Sequence, residues 1–130
     1  MKLHADRLDG PNAISRHGPT GVIVNGVEFR RSSIVPWQGE VRAWSVNRFS
    51  ALSEQHFALL AELAPELVIF GSGARLRFVR PALLRALIDR RIGIETMDTP
   101  AACRTYNVLL SEGRAVVAAL LFEPAEADSL

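Results

Sequence analysis

The sequence has few of the residues that do chemistry on their own. Across 130 residues it has one cysteine, Cys103, and three scattered histidines, His4, His17 and His56. One cysteine forms no internal disulfide. A structural zinc cluster, which needs several Cys or His at close spacing, is excluded, and neither metal nor cofactor is expected. Lysine occurs once, as Lys2, against fourteen arginines, yet the net charge is only +1. That balance gives no basis for nucleic-acid binding, and no basic-aromatic stripe suggests it. The arginine preference reads first as a compositional bias, with phosphate recognition as the sharper alternative. Long apolar runs are also missing. The longest, Ala115–Phe122, is too short to span a bilayer, and the opening MKLHADRLDG lacks the apolar stretch of a secretory signal. A soluble, cytoplasmic chain is expected.

The sequence does contain the material of a core. With 48% hydrophobic and 22% charged residues, the chain predicts one domain over 1–130, a core over about 22–122, and a frayed acidic tail over 123–130. The first third reads as strands and turns. GVIVNGVEF places Asn25-Gly26 between short apolar runs, the signature of a tight hairpin, with Val22, Val24, Val27 and Phe29 as core contributors. SSIVPWQGEVRAWSV reads as a second strand pair turning at Gln38-Gly39, with Pro36 marking a strand end or sheet edge and Trp37 and Trp44 packing inward.

From Ser50 the period changes. SALSEQHFALLAEL spaces its leucines for a helix, with Ser50 as N-cap and Pro65 as stop. LVIF at 67–70 is apolar throughout, as in a strand covered on both faces. RPALLRALIDRR reads as a helix with Pro81 in its first turn and Gly93 just past its end. IGIETM is a short strand. TPAACRTYNVLLSEG is a helix with Thr99 as N-cap, Pro100 at the first helical position and Gly113 at the end. RAVVAALLF is the last strand. Strands first, then alternating helix and strand, is an α/β layer pattern.

If strands 67–70 and 92–97 are parallel neighbours, a right-handed crossover joins them. The turns at Gly71-Ser72-Gly73 and at Asp98-Thr99-Pro100 then open on one sheet edge, where ligands of open α/β sheets bind. The candidate crevice is Gly71, Ser72, Gly73, Thr99, Cys103, Tyr106 and Asn107. A lone Gly-Ser-Gly lacks the third glycine of a dinucleotide fingerprint and the lysine of a P-loop, so a tight turn is the plainer reading. Helix-start amides at Thr99 favour an anion, whereas Asp98 repels one. Cys103, one turn into the helix, reads as a small core residue before it reads as a nucleophile, since no histidine lies in that half of the chain. Tyr106 and Asn107 read as a polar pair bracing a neighbouring segment, the 71–73 turn among the choices. No catalytic residue is assigned. Arg75, Arg77, Arg80, Arg85, Arg90 and Arg91 have Asp89 as the only acid between 74 and 91. Arg75, Arg77 and Arg80 form a candidate docking face for an acidic partner, against the plainer reading of a solvated surface.

These residues also carry a resemblance. Gly71-Ser72-Gly73, Pro81, Gly93-Ile94, Met97, Thr99, Ala102, Thr105-Tyr106-Asn107 and Glu112-Gly113-Arg114 resemble the adipogenesis-associated Mth-domain family, over roughly Val22 to Phe122. Ser72 stands where that family commonly has threonine, which keeps the hydroxyl. The resemblance implies a three-layer α/β domain with a mixed central sheet of parallel βαβ units and an additional N-terminal β layer. It implies no established enzymatic activity. One branch of the family is a mitochondrial assembly factor for respiratory complex I. The expectation is therefore a non-enzymatic protein-binding or assembly factor, its partner another protein such as a respiratory complex subunit. The alternative is a small-molecule or anion-binding protein, or an enzyme, using the crevice.

Overall fold

The computed structural model describes residues 10–124. Lys2 and His4 fall outside that range, as does the acidic tail from residue 125 onward.

The N-terminal residues form a small antiparallel sheet of β1 (Ile14–Gly18), β2 (Gly21–Val24) and β3 (Val27–Phe29). Asn25 and Gly26 turn β2 into β3 with φ of 49° and 85°, the paired positive angles that an Asn-Gly hairpin supplies. Val22 and Val24 are buried, as the alternation predicts, and Phe29 is partly so. Val27 is not a core residue. It pairs with Val24 at the mouth of the hairpin and is 49% exposed.

A five-stranded sheet follows, in the order β5-β4-β8-β6-β7, from β4 (Ser33–Pro36), β5 (Arg42–Ala43), β6 (Leu67–Gly71), β7 (Gly93–Met97) and β8 (Val116–Leu120). β6 lies between β7 and β8 and is parallel to both, whereas β4 is antiparallel to β8 and β5. The sheet is mixed, as expected. Its central strands are apolar throughout because both faces are covered. Val68 and Phe70 of β6, with Val117 and Ala119 of β8, pack under α1 (Glu54–Ala61) and α2 (Arg85–Asp89), where Phe57, Leu60 and Leu87 are buried. Ile69, Val116, Ala118 and Leu120 face the other way, into a cluster with Ala102, Cys103 and Tyr106 of α3 (Thr99–Ser111) and with Ile14, Val22 and Val24 of the small sheet. The outcome is three layers, with α1 and α2 on one face of the sheet and α3 with the N-terminal β layer on the other. Trp44, Phe57 and Phe70 meet edge to face with centroids 5.5–5.9 Å apart, and Trp44 is buried as predicted.

Four helix boundaries differ from the sequence reading, each for a local reason. Ser50 lies in a short 3-10 turn (Phe49–Ala51), and the cap of α1 is Ser53, whose N–H donates to His56 Nδ1 at 3.0 Å. The segment from Pro81 opens as a 3-10 turn (Pro81–Leu84) before α2 forms. Arg91, at φ 58°, makes the left-handed exit assigned to Gly93, which already belongs to β7. Asp98, not Thr99, caps α3: its carboxylate accepts from Ala101 N–H at 2.8 Å, because the Thr99 hydroxyl is engaged elsewhere. Gly113, at φ 78°, lies just beyond α3 as predicted. Among the described residues, no helix is long and apolar enough to cross a membrane.

Candidate functional site

The two turns do lie side by side, and they are bonded to each other. β6 and β7 are parallel in register from Leu67↔Gly93 to Gly71↔Met97, so both chains leave the sheet at one edge. Gly73 N–H donates to Thr99 Oγ1 at 2.8 Å, Thr99 N–H donates to Gly73 O at 2.8 Å, and Thr99 Oγ1 donates to Leu121 O at 2.9 Å. Thr99 thus joins the 71–73 turn, α3 and the end of β8. Gly71 is required by this approach: a Cβ there would stand 2.9 Å from Thr99 Cα and 3.1 Å from Ala102 Cβ.

Ser72 is fully buried, and its hydroxyl holds the following loop. It donates to Arg75 O at 2.8 Å, has Met97 O as a further acceptor at 3.2 Å, and accepts from Arg77 N–H at 3.0 Å. Cys103 is buried in the core on the sheet side of α3. Burial pushes its thiol up to about 12 against the smaller opposing effect of Arg104, so the group is a neutral thiol near neutrality.

Tyr106 and Asn107 brace a segment, but not the 71–73 turn. Tyr106 Oη lies 2.8 Å from Asn12 O and 3.0 Å from Pro36 O, and burial raises its pKa. Asn107 exchanges two hydrogen bonds with Ile14, accepting from its N–H at 2.9 Å and donating to its carbonyl at 2.7 Å. Both side chains thus fasten the N-terminal layer to α3. Asn12, which sequence reasoning passed over, completes the joint by donating to Pro36 O and Gly39 O, each at 2.9 Å.

The structure therefore brings Gly71, Ser72, Gly73 and Thr99 together and turns Cys103, Tyr106 and Asn107 inward, away from them. Open space begins on the outer side of the junction. A concavity of about 340 Å³ is lined by His17, Gly18 and Pro19 from the small sheet, by Gly73, Ala74, Thr99 and Pro100, and by Leu121, Phe122 and Glu123. Pockets of this size suit small ligands.

The three candidate docking arginines separate. Arg75 and Arg80 are exposed. Arg77 is mostly buried: its Nη2 donates to Ser72 O at 2.6 Å and to Glu123 Oε1 at 2.7 Å, and its guanidinium stands 4.6 Å over the Phe49 ring. Glu123 Oε2 accepts from Phe49 N–H at 2.7 Å. Glu123 is thus anchored, contrary to its expected place in a frayed tail. Burial raises the pKa of its carboxyl, but the bonds from Arg77 and Phe49 and the charges of Arg77 and Arg48 outweigh that and leave it below the usual carboxylate range. With Ser72 and Glu123 fixing Arg77, and Val79 packed on the core, Leu76, Phe78 and Arg80 face outward; Leu76 is 51% and Phe78 70% exposed. The Arg77–Glu123 pair had no sequence signal, because the partners are 46 residues apart.

Comparison with known proteins fits this architecture. A protein of Bos taurus named NADH dehydrogenase [ubiquinone] 1 alpha subcomplex assembly factor 3 is 37% identical over 114 residues, covering 85% of this chain and 61% of that protein. The chain thus spans about six-tenths of that relative's length. A crystal structure of a Bordetella parapertussis protein superposes with a TM-score of 0.82 at 36% identity, covering 88% of this chain and 98% of that one. A solution structure from Bordetella pertussis, described as a Mth938-like domain, superposes with a TM-score of 0.75 at 33% identity, covering 88% of this chain and 89% of that one. The family model described as "Protein of unknown function (DUF498/DUF598)" matches residues 14–121, and the chain belongs to that family, the Mth938-like domains.

Proposed function

We propose that the protein is a non-enzymatic, cytoplasmic protein-binding factor of the assembly type, and that its docking surface is the segment 75–80. One observation carries this reading: Leu76 and Phe78 stand exposed between Arg75 and Arg80 on a loop whose inner positions, Arg77 and Val79, are held by the fold. Ordering a loop on binding costs conformational entropy, and a loop already fixed avoids that cost. Exposed aromatic and apolar side chains beside arginine are the composition of interface anchors. The partner this face suits has acidic residues around an apolar patch. The similarity to a protein named as a complex I assembly factor makes a respiratory complex subunit the first partner to test.

The test is affinity capture from the native cell, followed by mass spectrometry, with Leu76→Ser/Phe78→Ser and Arg75→Glu/Arg80→Glu variants. Arg77 is left intact because its replacement would break the loop. Both variants are expected to fold and to lose the dominant partner, and capture by the parent is expected to weaken with salt, as exposed charges are screened within about 10 Å at about 0.1 M. Unchanged capture by folded variants would reduce the segment to a solvated surface.

A second reading keeps a small-molecule site at the outer side of the 71–73 turn. The mostly apolar concavity of about 340 Å³ beside Gly73 and Thr99 favours it. A metabolite that co-purifies with the parent but not with Ala74→Trp would support that reading over docking.

A further inference from the structure

On the other side of Glu123 lies a separate concavity of about 410 Å³, between the segments Arg48–Ser50 and Ala74–Arg77. Among the described residues, Arg48, Arg75 and Arg77 line it against one acidic residue, Glu123. Both oxygens of that carboxylate are hydrogen-bonded. One oxygen takes the Arg77 Nη2 proton at 2.7 Å, and the other takes Phe49 N–H at 2.7 Å. Arg48 and Arg75 make no ion pair among the described residues. Arg77 Nε is buried without an acceptor among the described residues. Among the described residues, three guanidinium charges against one carboxylate leave an excess of positive potential at this concave space, although Arg48 and Arg77 both act on Glu123.

We propose that this concavity seats a compact oxyanion of charge −2, either a phosphate group or a dicarboxylate, held between Arg48 and Arg75 with the Ser50 hydroxyl as a further donor. The guanidinium fork matches two oxygens of such a group and is less strongly hydrated than an ammonium, so it loses less on contact. The excess of three guanidiniums over one carboxylate among the described lining residues sets the ligand's charge. Glu123 shows that this end of the domain already accommodates anionic oxygen, and it also limits affinity, because its remaining charge repels a second anion. The seat belongs to the isolated chain and does not depend on a protein partner docking at Leu76 and Phe78.

The test is amide-detected NMR titration of the isolated protein with inorganic phosphate and, separately, with succinate, at constant ionic strength held by sodium chloride. Saturating shifts are expected at Phe49, Ser50, Ala74 and Arg75. Arg48→Gln and Arg75→Gln should each weaken the apparent affinity at least roughly threefold. Glu123→Gln, which removes the opposing charge and keeps one of the two acceptors used by Arg77 and Phe49, should strengthen it. Saturation by phosphate alone identifies a phosphate seat, and saturation by succinate alone a dicarboxylate seat; equal saturation by both identifies a seat that reads charge. Shifts that fail to saturate, or that persist unchanged in a folded Arg48→Gln/Arg75→Gln double variant, would overturn the proposal.

Discussion

The junction of Gly71–Gly73 with Thr99 and the segment 75–80 that follows it lie within a few residues of each other and are built on opposite plans. At the junction every polar group named above has a protein partner: the Thr99 hydroxyl both accepts and donates, and the Ser72 hydroxyl does the same. In the following segment Leu76, Phe78 and Arg80 face solvent, and only the alternate positions Arg77 and Val79 are tied down. A family-like string of residues can therefore mark a rigid joint, while the surface available to a partner is the less distinctive sequence it holds in place.

The sharpest way to break that contrast is at Thr99. Thr99→Val keeps the shape, removes the hydroxyl and strands the buried Gly73 N–H and Leu121 carbonyl. The loss expected in denaturant unfolding is about 2–6 kcal/mol, from two stranded groups at about 1–3 kcal/mol each. Gly71→Ala, which drives a Cβ against Thr99 Cα, should cost about 1–3 kcal/mol by overpacking. A near-neutral result for either would mean that the joint is looser than its hydrogen bonds indicate.

Asn107→Ala removes both bonds to Ile14 and should cost about 1–3 kcal/mol. Its distinguishing signature is local. Hydrogen exchange should quicken at Ile14 and across the small sheet, while the 71–73 amides stay protected. Faster exchange at Gly73 instead would return Asn107 to the turn.

Acid should act on the Arg77–Glu123 tie. The folded carboxyl of Glu123 lies below its ordinary value of 4.5, so its contribution is fully present above that value and is lost as pH falls through the folded value. Glu123→Gln should flatten that part of the stability profile below about pH 4.5. An unchanged acid limb would assign the dependence to other carboxylates.

The smallest stability effect belongs to the open segment. Leu76→Ser, Phe78→Ser and Arg80→Glu should each change stability by no more than about 0.5 kcal/mol, as exposed substitutions do. If thermal melts show Phe78→Ser costing as much as Thr99→Val, the segment is packed, and the contrast between the two regions fails.

Local patterning determined much of this protein. Asn25-Gly26 reads as a tight hairpin turn, the unbroken Leu67–Phe70 run as a covered strand and Gly113 as a helix end, and the structure has all three. Each reading depends on one residue's backbone freedom or on a short apolar period, which neighbours in sequence supply. Parallel pairing of β6 with β7 was only a condition in the sequence reading; once the structure supplies it, the meeting of Gly71 with Thr99 at one sheet edge follows. Tertiary structure alone decided where the polar side chains spend their hydrogen bonds. Thr99 had the look of a cap, yet its hydroxyl was claimed by Gly73 and Leu121, so capping fell to Asp98. Tyr106 and Asn107 were legible as a bracing pair, but their partners, Asn12, Ile14 and Pro36, come from a layer brought against α3 only when the two sheets pack. Arg77 read as one arginine among several until Glu123, 46 residues on, took it out of the solvent-facing set. A side chain's chemistry is written in its residue type, but its partner is chosen by packing between segments far apart in the chain, and no local period encodes that choice.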